Sequence, residues 1–114
     1  MGLHHPDRDQ LEIASVLHAL SDPQRLSIVR CLAGDPTPRR CGQFQLEVTK
    51  STLTHHFRVL REAGVIEQHE EGTARLNSLR REDLDARFPG LLDAVLGSAR
   101  AGWRRRLTDE VAHA

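Results

Sequence analysis

Lys50 to Gly64 reads KSTLTHHFRVLREAG, and this stretch decides the fold. Leu53, Phe57 and Leu60 recur at spacings of four and three, which puts them on one face of a helix. Ser51, Thr52, Thr54, His55, Arg58 and Arg61 take the remaining faces. Gly64 closes the segment as a residue able to adopt positive φ at a helix C-terminus. The spacing therefore predicts an amphipathic helix over 50–63, the best defined in the chain.

Upstream, Ser21-Asp22-Pro23 places an N-cap before a proline at the first helical position, where its missing N–H costs nothing. A helix is predicted from there, with Leu26, Ile28, Val29 and Leu32 as its apolar stripe and Gly34 and Pro36 as its end. Before it, Ile13, Val16, Leu17 and Leu20 mark a first helix over 9–20. Pro36 to Arg40 reads as a proline-broken loop, and 41–48 as at most a short, imperfect helix.

Downstream, 65–70 and 73–79 are short segments with Ile66 and Leu76 as inward candidates. Joined at Glu71-Gly72, they predict a β-hairpin. From Pro89 to Ala112 the residues Leu92, Val95, Leu96, Ala99, Trp103, Leu107 and Val111 keep helical spacing and predict a long terminal helix. The order helix, helix, short helix, helix, hairpin, helix is that of a mainly α winged helix-turn-helix domain.

At 114 residues the chain has room for one core, and 39% hydrophobic with 28% charged residues is an ordinary globular composition. The single domain divides into a flexible arm over 1–8, helices 9–20 and 89–112, a helix-turn-helix over 37–64 and a wing over 65–79. No apolar run is long enough to span a bilayer, and MGLHHPDRDQ carries no export signal, so a cytoplasmic protein with no membrane partner is expected. No nucleophile elbow, zinc-protease, phosphate-loop or CxxC motif is present, which argues against an enzyme.

The segments ALSDPQRLSIVRCL (19–32) and STLTHHFRVLREAGVIEQHEEGTARL (51–76) resemble the ArsR/SmtB family of bacterial repressors over about Leu17 to Leu79. Actinobacterial members are similar as well over CGQF (41–44) and LRREDLDARFPGLLDAV (79–95). The resemblance implies a homodimer formed through its first and last helices, bound to a palindromic DNA operator and released by a metal ion or by thiol chemistry. The residues agree on dimerisation. Val16, Leu17, Leu20, Leu92, Val95, Leu96, Ala99 and Trp103 form more apolar surface than a small core can cover.

On this reading the DNA-facing set is Arg39, Arg40, Lys50, Ser51, Thr52, Thr54, His55, Arg58, Arg61 and Arg75. Short hydroxyls and basic side chains suit base edges and phosphates. Net charge over the whole chain is zero, yet 37–64 carries five basic residues against Glu47 and Glu62. The wing departs from this, with Glu67, Glu70 and Glu71 against Arg75 alone, which predicts modest affinity and a shallow salt dependence. His55 and His56 point about 100° apart and cannot readily share a metal, so His56 is expected near the core.

No cofactor is required for the fold. For an effector, Ni(II) or Zn(II), two ligand sets are candidates: His4, His5 and Cys41, or Glu12, His18, Asp109, Glu110 and His113. The CxC-like pair and the Asp-x-His pattern that the resemblance implies are absent, since the first helix of the helix-turn-helix offers only Cys41, followed by Gly42, and Asp93 is followed by Ala94-Val95. Cys31 and Cys41 are a candidate thiol switch, with Arg39 and Arg40 placed to lower the Cys41 pKa. A rival reading is a winged-helix module that binds a protein co-regulator through its acidic wing, with weak DNA contact.

Overall fold

The computed structural model describes residues 3–34, 39–40 and 49–97, the pair 39–40 by its backbone. Helices α1 (Ile13–Leu20), α2 (Pro23–Gly34) and α3 (Lys50–Glu62) pack on one another. Behind them lie strands β1 (Arg39–Arg40), β2 (Ile66–Glu71) and β3 (Ala74–Leu79), followed by α4 (Arg81–Arg87). A further helical segment over 91–97 widens to π-type turns at 93–97. The expected remainder of the terminal helix lies outside the described residues. Among the described residues no helix is long and apolar enough to cross a membrane.

The first helix begins four residues later than its periodicity predicts. Arg8–Gln10 form a 3₁₀ turn, and Leu11 is extended at φ −68°, ψ 133° before α1 starts. That break drops Leu11 into the core, 1% exposed, against Gly64. Arg87 Nη2 donates to the Leu11 carbonyl at 2.7 Å and satisfies a group that the interrupted helix leaves open.

The motif SDPQR is a joint between α1 and α2. Asp22 Oδ1 accepts from the backbone N–H groups of Gln24 and Arg25 at 2.8 and 3.3 Å, capping α2 as expected. Arg25 turns back and donates from Nε to the Ala19 carbonyl at 2.7 Å and from Nη2 to the His18 carbonyl at 3.2 Å. A buried cation thus closes the negative end of α1.

Helix α3 ends in a Schellman motif. Val65 N–H reaches the Leu60 carbonyl at 2.9 Å and Gly64 N–H the Arg61 carbonyl at 3.0 Å, with Gly64 at φ +85°. Leu60 and Val65, both fully buried, supply the apolar contact that accompanies this turn.

The sheet order is β1-β3-β2, all antiparallel. Two corrections follow. Arg39-Arg40, read as loop, is a third strand paired with Asn77 and Leu76. The hairpin turn lies at Gly72-Thr73, one residue beyond the expected position, because Glu71 pairs with Ala74 and Gly72 takes φ +64°, as a type II′ turn requires.

The register also corrects the inward face. Ile66 shares its face with Gln68 and Asn77, whereas Leu76 lies opposite His69 on the other face and is only half-buried. The interior position belongs to Asn77, 0% exposed, whose Oδ1 accepts from Gln68 Nε2 at 2.7 Å.

Residues 3–8, read from sequence as a flexible arm, lie against the wing. His5 Nε2 accepts from Gln68 N–H at 3.0 Å, on the open edge of β2, while His5 Nδ1 bonds the Leu3 carbonyl. Arg80 donates to the Pro6 carbonyl at 2.7 Å, and Arg8 pairs with Asp83 at 2.7 Å. The arm thereby covers an edge that would otherwise invite strand pairing.

Candidate nucleic-acid interface

Thr49 sets the start of α3. Its Oγ1 accepts from Thr52 N–H at 3.2 Å and sits 2.9 Å from Thr52 Oγ1 and 3.2 Å from Ser51 Oγ. These hydroxyls form one local cluster at the positive end of the helix. Thr49→Ala should lower stability by about 1 kcal/mol, the ordinary value of an N-cap, as read by urea unfolding.

From that start, Phe57 and Leu60 are buried and Leu53 half-buried. Lys50, Ser51, Thr52, Thr54, His55 and Arg58 are all exposed. No member of this set is spent on the core. It projects beside the wing, where Arg75 of β3 is exposed opposite Glu70. Arg39 and Arg40 enter through the β1 backbone, at the sheet edge away from β2.

Arg61 differs from the rest of the predicted set. It is half-buried, and its Nη1 donates to Gln68 Oε1 at 2.7 Å, continuing through Gln68 to Asn77. This polar chain ties α3 to both wing strands, a role that apolar patterning did not reveal. The signal available was the pair of long polar residues, Gln68 and Asn77, within a segment otherwise read by its apolar positions.

His56 lies inside, 7% exposed, and its Nδ1 is 3.2 Å from Arg25 Nη1. A guanidinium has only donors, so Nδ1 is the acceptor and the ring is neutral with its proton on Nε2. Burial holds the His56 pKa below 6.5; the Asp22 carboxylate opposes this, and the Arg25 and His55 charges reinforce it. Partial burial works against ionisation of Asp22, but the N–H donors of Arg25 and Gln24, with the His56 and Arg25 charges, outweigh it and hold its pKa below 3.8.

Those candidate sensor residues that are described, His4, His5, Glu12, His18 and Cys31, form no metal cluster among themselves. Among the described residues no group of three or more His, Cys, Asp or Glu side chains is arranged to hold a metal ion. His4 is exposed, and both His5 ring nitrogens are engaged. Glu12 and His18 are exposed beside α1, while Cys41, Asp109, Glu110 and His113 lie outside the described residues. Cys31 is a free, exposed thiol on α2.

The apolar set assigned to a partner divides in two. Val16, Leu20, Leu92 and Leu96 are 0 to 5% exposed and belong to the core of the protomer. They share one buried cluster with Ile28, Val29, Phe57, Leu60 and Ile66, so they are corrected from interface to core. Val95 is half-buried, and Ala99 and Trp103 lie outside the described residues. Leu17 remains exposed at 49%, with Ile13 at 44% one turn before it.

A family described as a helix-turn-helix domain matches residues 20–69. The chain is 33% identical over 89 residues to the uncharacterized HTH-type transcriptional regulator YceK of Bacillus subtilis, covering 76% of this chain and 88% of YceK. Among solved structures it resembles Rv0081 of M. tuberculosis at 27% identity and a TM-score of 0.60, covering 86% of this chain and 91% of that one. An ArsR-like transcriptional regulator from Rhodococcus sp. RHA1 shares the fold at a TM-score of 0.56 and 24% identity, covering 89% and 91%.

Proposed function

The chain belongs to the ArsR-type winged helix-turn-helix transcriptional regulators, which bind DNA and are not enzymes, and from that premise we propose that it binds a palindromic operator as a homodimer with α3 in the major groove. The observation that carries this reading is the outward face of α3, where six polar residues at its N-terminal end are free of the core. Hydroxyls and an imidazole at the leading end of a helix suit base edges.

The dimer is supported by Ile13 and Leu17, the exposed large apolar residues on α1, at a spacing that makes one stripe. Twofold symmetry would set the two α3 helices about 34 Å apart. For control we propose a metal ion such as Ni(II) or Zn(II), or thiol oxidation. Exposure of the Cys31 thiol supports the second, and titrating the protein with each metal and with oxidant, read against operator affinity, separates them.

The test of the main reading is a salt titration of binding to the palindrome upstream of the protein's own gene, beside a random duplex. We expect tighter binding to the palindrome by at least a thousandfold at physiological salt, the usual margin for specific sites. Equal affinity for the two duplexes would favour the rival reading, a module serving a protein co-regulator through the acidic wing, where Glu67, Glu70 and Glu71 are all exposed.

A further inference from the structure

The arm over 3–8 does more than cover the edge of β2. Its tip, Leu3, lines a cleft of about 220 Å³ between α3 and the wing, with Thr54, Arg58 and Arg61 on one wall and Gln68 and Arg75 on the other. Leu3 is half-buried there, while Thr54, Arg58 and Arg75 stay exposed around it. Those three belong to the set read as facing DNA, so an apolar side chain of the protein itself stands where a duplex has to come closest. An isobutyl group has no donor for a phosphate oxygen. A duplex that seats in this cleft either displaces the tip or loses hydration against it without compensation.

The arm is fastened unevenly. At its inner end Arg80 bonds the Pro6 carbonyl, Arg8 pairs with Asp83, and the Pro6 ring stands close over Gly64. Ahead of Pro6, the tie to the wing is the Gln68 N–H donating to His5 Nε2 at 3.0 Å. The Leu3 carbonyl can only accept, so His5 Nδ1 carries the ring proton and Nε2 is left as the acceptor. The latch therefore engages the residue whose side chain joins Arg61 to Asn77. One neutral hydrogen bond shifts a population by about two- to tenfold. That favours the docked tip and still lets a duplex displace it.

Resting on the regulator reading above, we propose that residues 3–5 are an autoinhibitory tip, latched to β2 by His5, that keeps Leu3 in the cleft between α3 and the wing and leaves it before a duplex seats. Pro6 and Arg8 keep their own anchors, so the tip swings out with 6–8 still in place. Its departure uncovers Thr54, Arg58 and Arg75 whatever the base sequence outside. The tip therefore sets affinity and leaves the preference for one sequence over another unchanged.

Two measurements test the tip. In the protein without DNA, Gln68 N–H should exchange with solvent about two- to tenfold more slowly than in His5→Ala, as loss of one hydrogen bond requires. Equal rates would overturn the latch. In DNA titrations Leu3→Gly should bind the palindrome and a random duplex more tightly by one common factor, about two to ten if the latch is all that holds the tip. His5→Ala should do the same. His5→Gln, whose amide oxygen can accept in place of Nε2, should return to the affinity of the unaltered protein. Unchanged or weaker binding by Leu3→Gly would overturn the proposal. Equal affinity of the unaltered protein for the two duplexes, with a gain on both in Leu3→Gly, would remove the specificity of the regulator reading and leave the tip supported. Leu3 and His5 lie outside the core, so these replacements leave it intact.

Discussion

Gly64→Ala should destabilise the protein by about 3 kcal/mol, combining the left-handed backbone cost for an L-residue with overpacking of the core. At φ +85° an alanine is strained whatever the space around it. Here there is no space either. A Cβ would stand 2.0 Å from Leu11 Cδ2 and 3.2 Å from Pro6 Cγ. Leu11 cannot swing into solvent, because it is 1% exposed and its carbonyl is held by Arg87.

The thermal unfolding midpoint of Gly64→Ala should therefore fall by about 12 to 24 °C, at 4 to 8 °C per kcal/mol for a domain near this size. A double-mutant cycle separates the two causes. Leu11→Ala removes the clash but not the strain, so it should cost clearly less in the Gly64→Ala background than alone. Strict additivity would mean that Leu11 and Gly64 do not press on each other.

The same pair shows how far local sequence carries. The end of α3 was legible because Gly64 follows the last apolar residue of a regular stripe. That Leu11 breaks the first helix was not, since its cause is a glycine 53 positions away. The start of α2 was legible in SDP, because an N-cap and a first-turn proline act within three residues. The backward reach of Arg25 to α1 needs the angle between two helices, which neither helix encodes alone.

In the wing, alternation located two strands but assigned the interior to Leu76, because an apolar rule passes over buried amides. The chain Arg61-Gln68-Asn77 fills that interior with paired polar groups, and such pairing is visible only in register. Strand β1 was hidden for a related reason. Two arginines between prolines and a cysteine show no period, and only β3 makes them a strand. The apolar stripes were correctly apolar, yet a stripe does not say whether its cover is the same chain or a second copy. Val16 and Leu20 went to the core, and Ile13 and Leu17 stayed outside.

The buried joint of Arg25 and His56 carries the other large effect. Arg25→Ala should cost about 3 kcal/mol, because it removes three charge-assisted hydrogen bonds and leaves the buried Ala19 carbonyl and His56 Nδ1 without their donor, the His18 carbonyl keeping its bonds from Ser21. The pH dependence of this joint has a definite sign. The folded pKa of His56 lies below its unfolded value of 6.5, so between the two the unfolded chain binds more protons. The contribution is complete above pH 6.5 and is lost as pH falls from 6.5 through the folded value. Protonation also turns Nδ1 into a donor facing a guanidinium, which breaks the bond to Arg25. His56→Asn places an amide oxygen near Nδ1 and cannot titrate. Urea unfolding at pH 7.5 and pH 5 should show a loss of stability in the unaltered protein that is smaller in His56→Asn. Equal losses in both would mean that His56 does not carry this step.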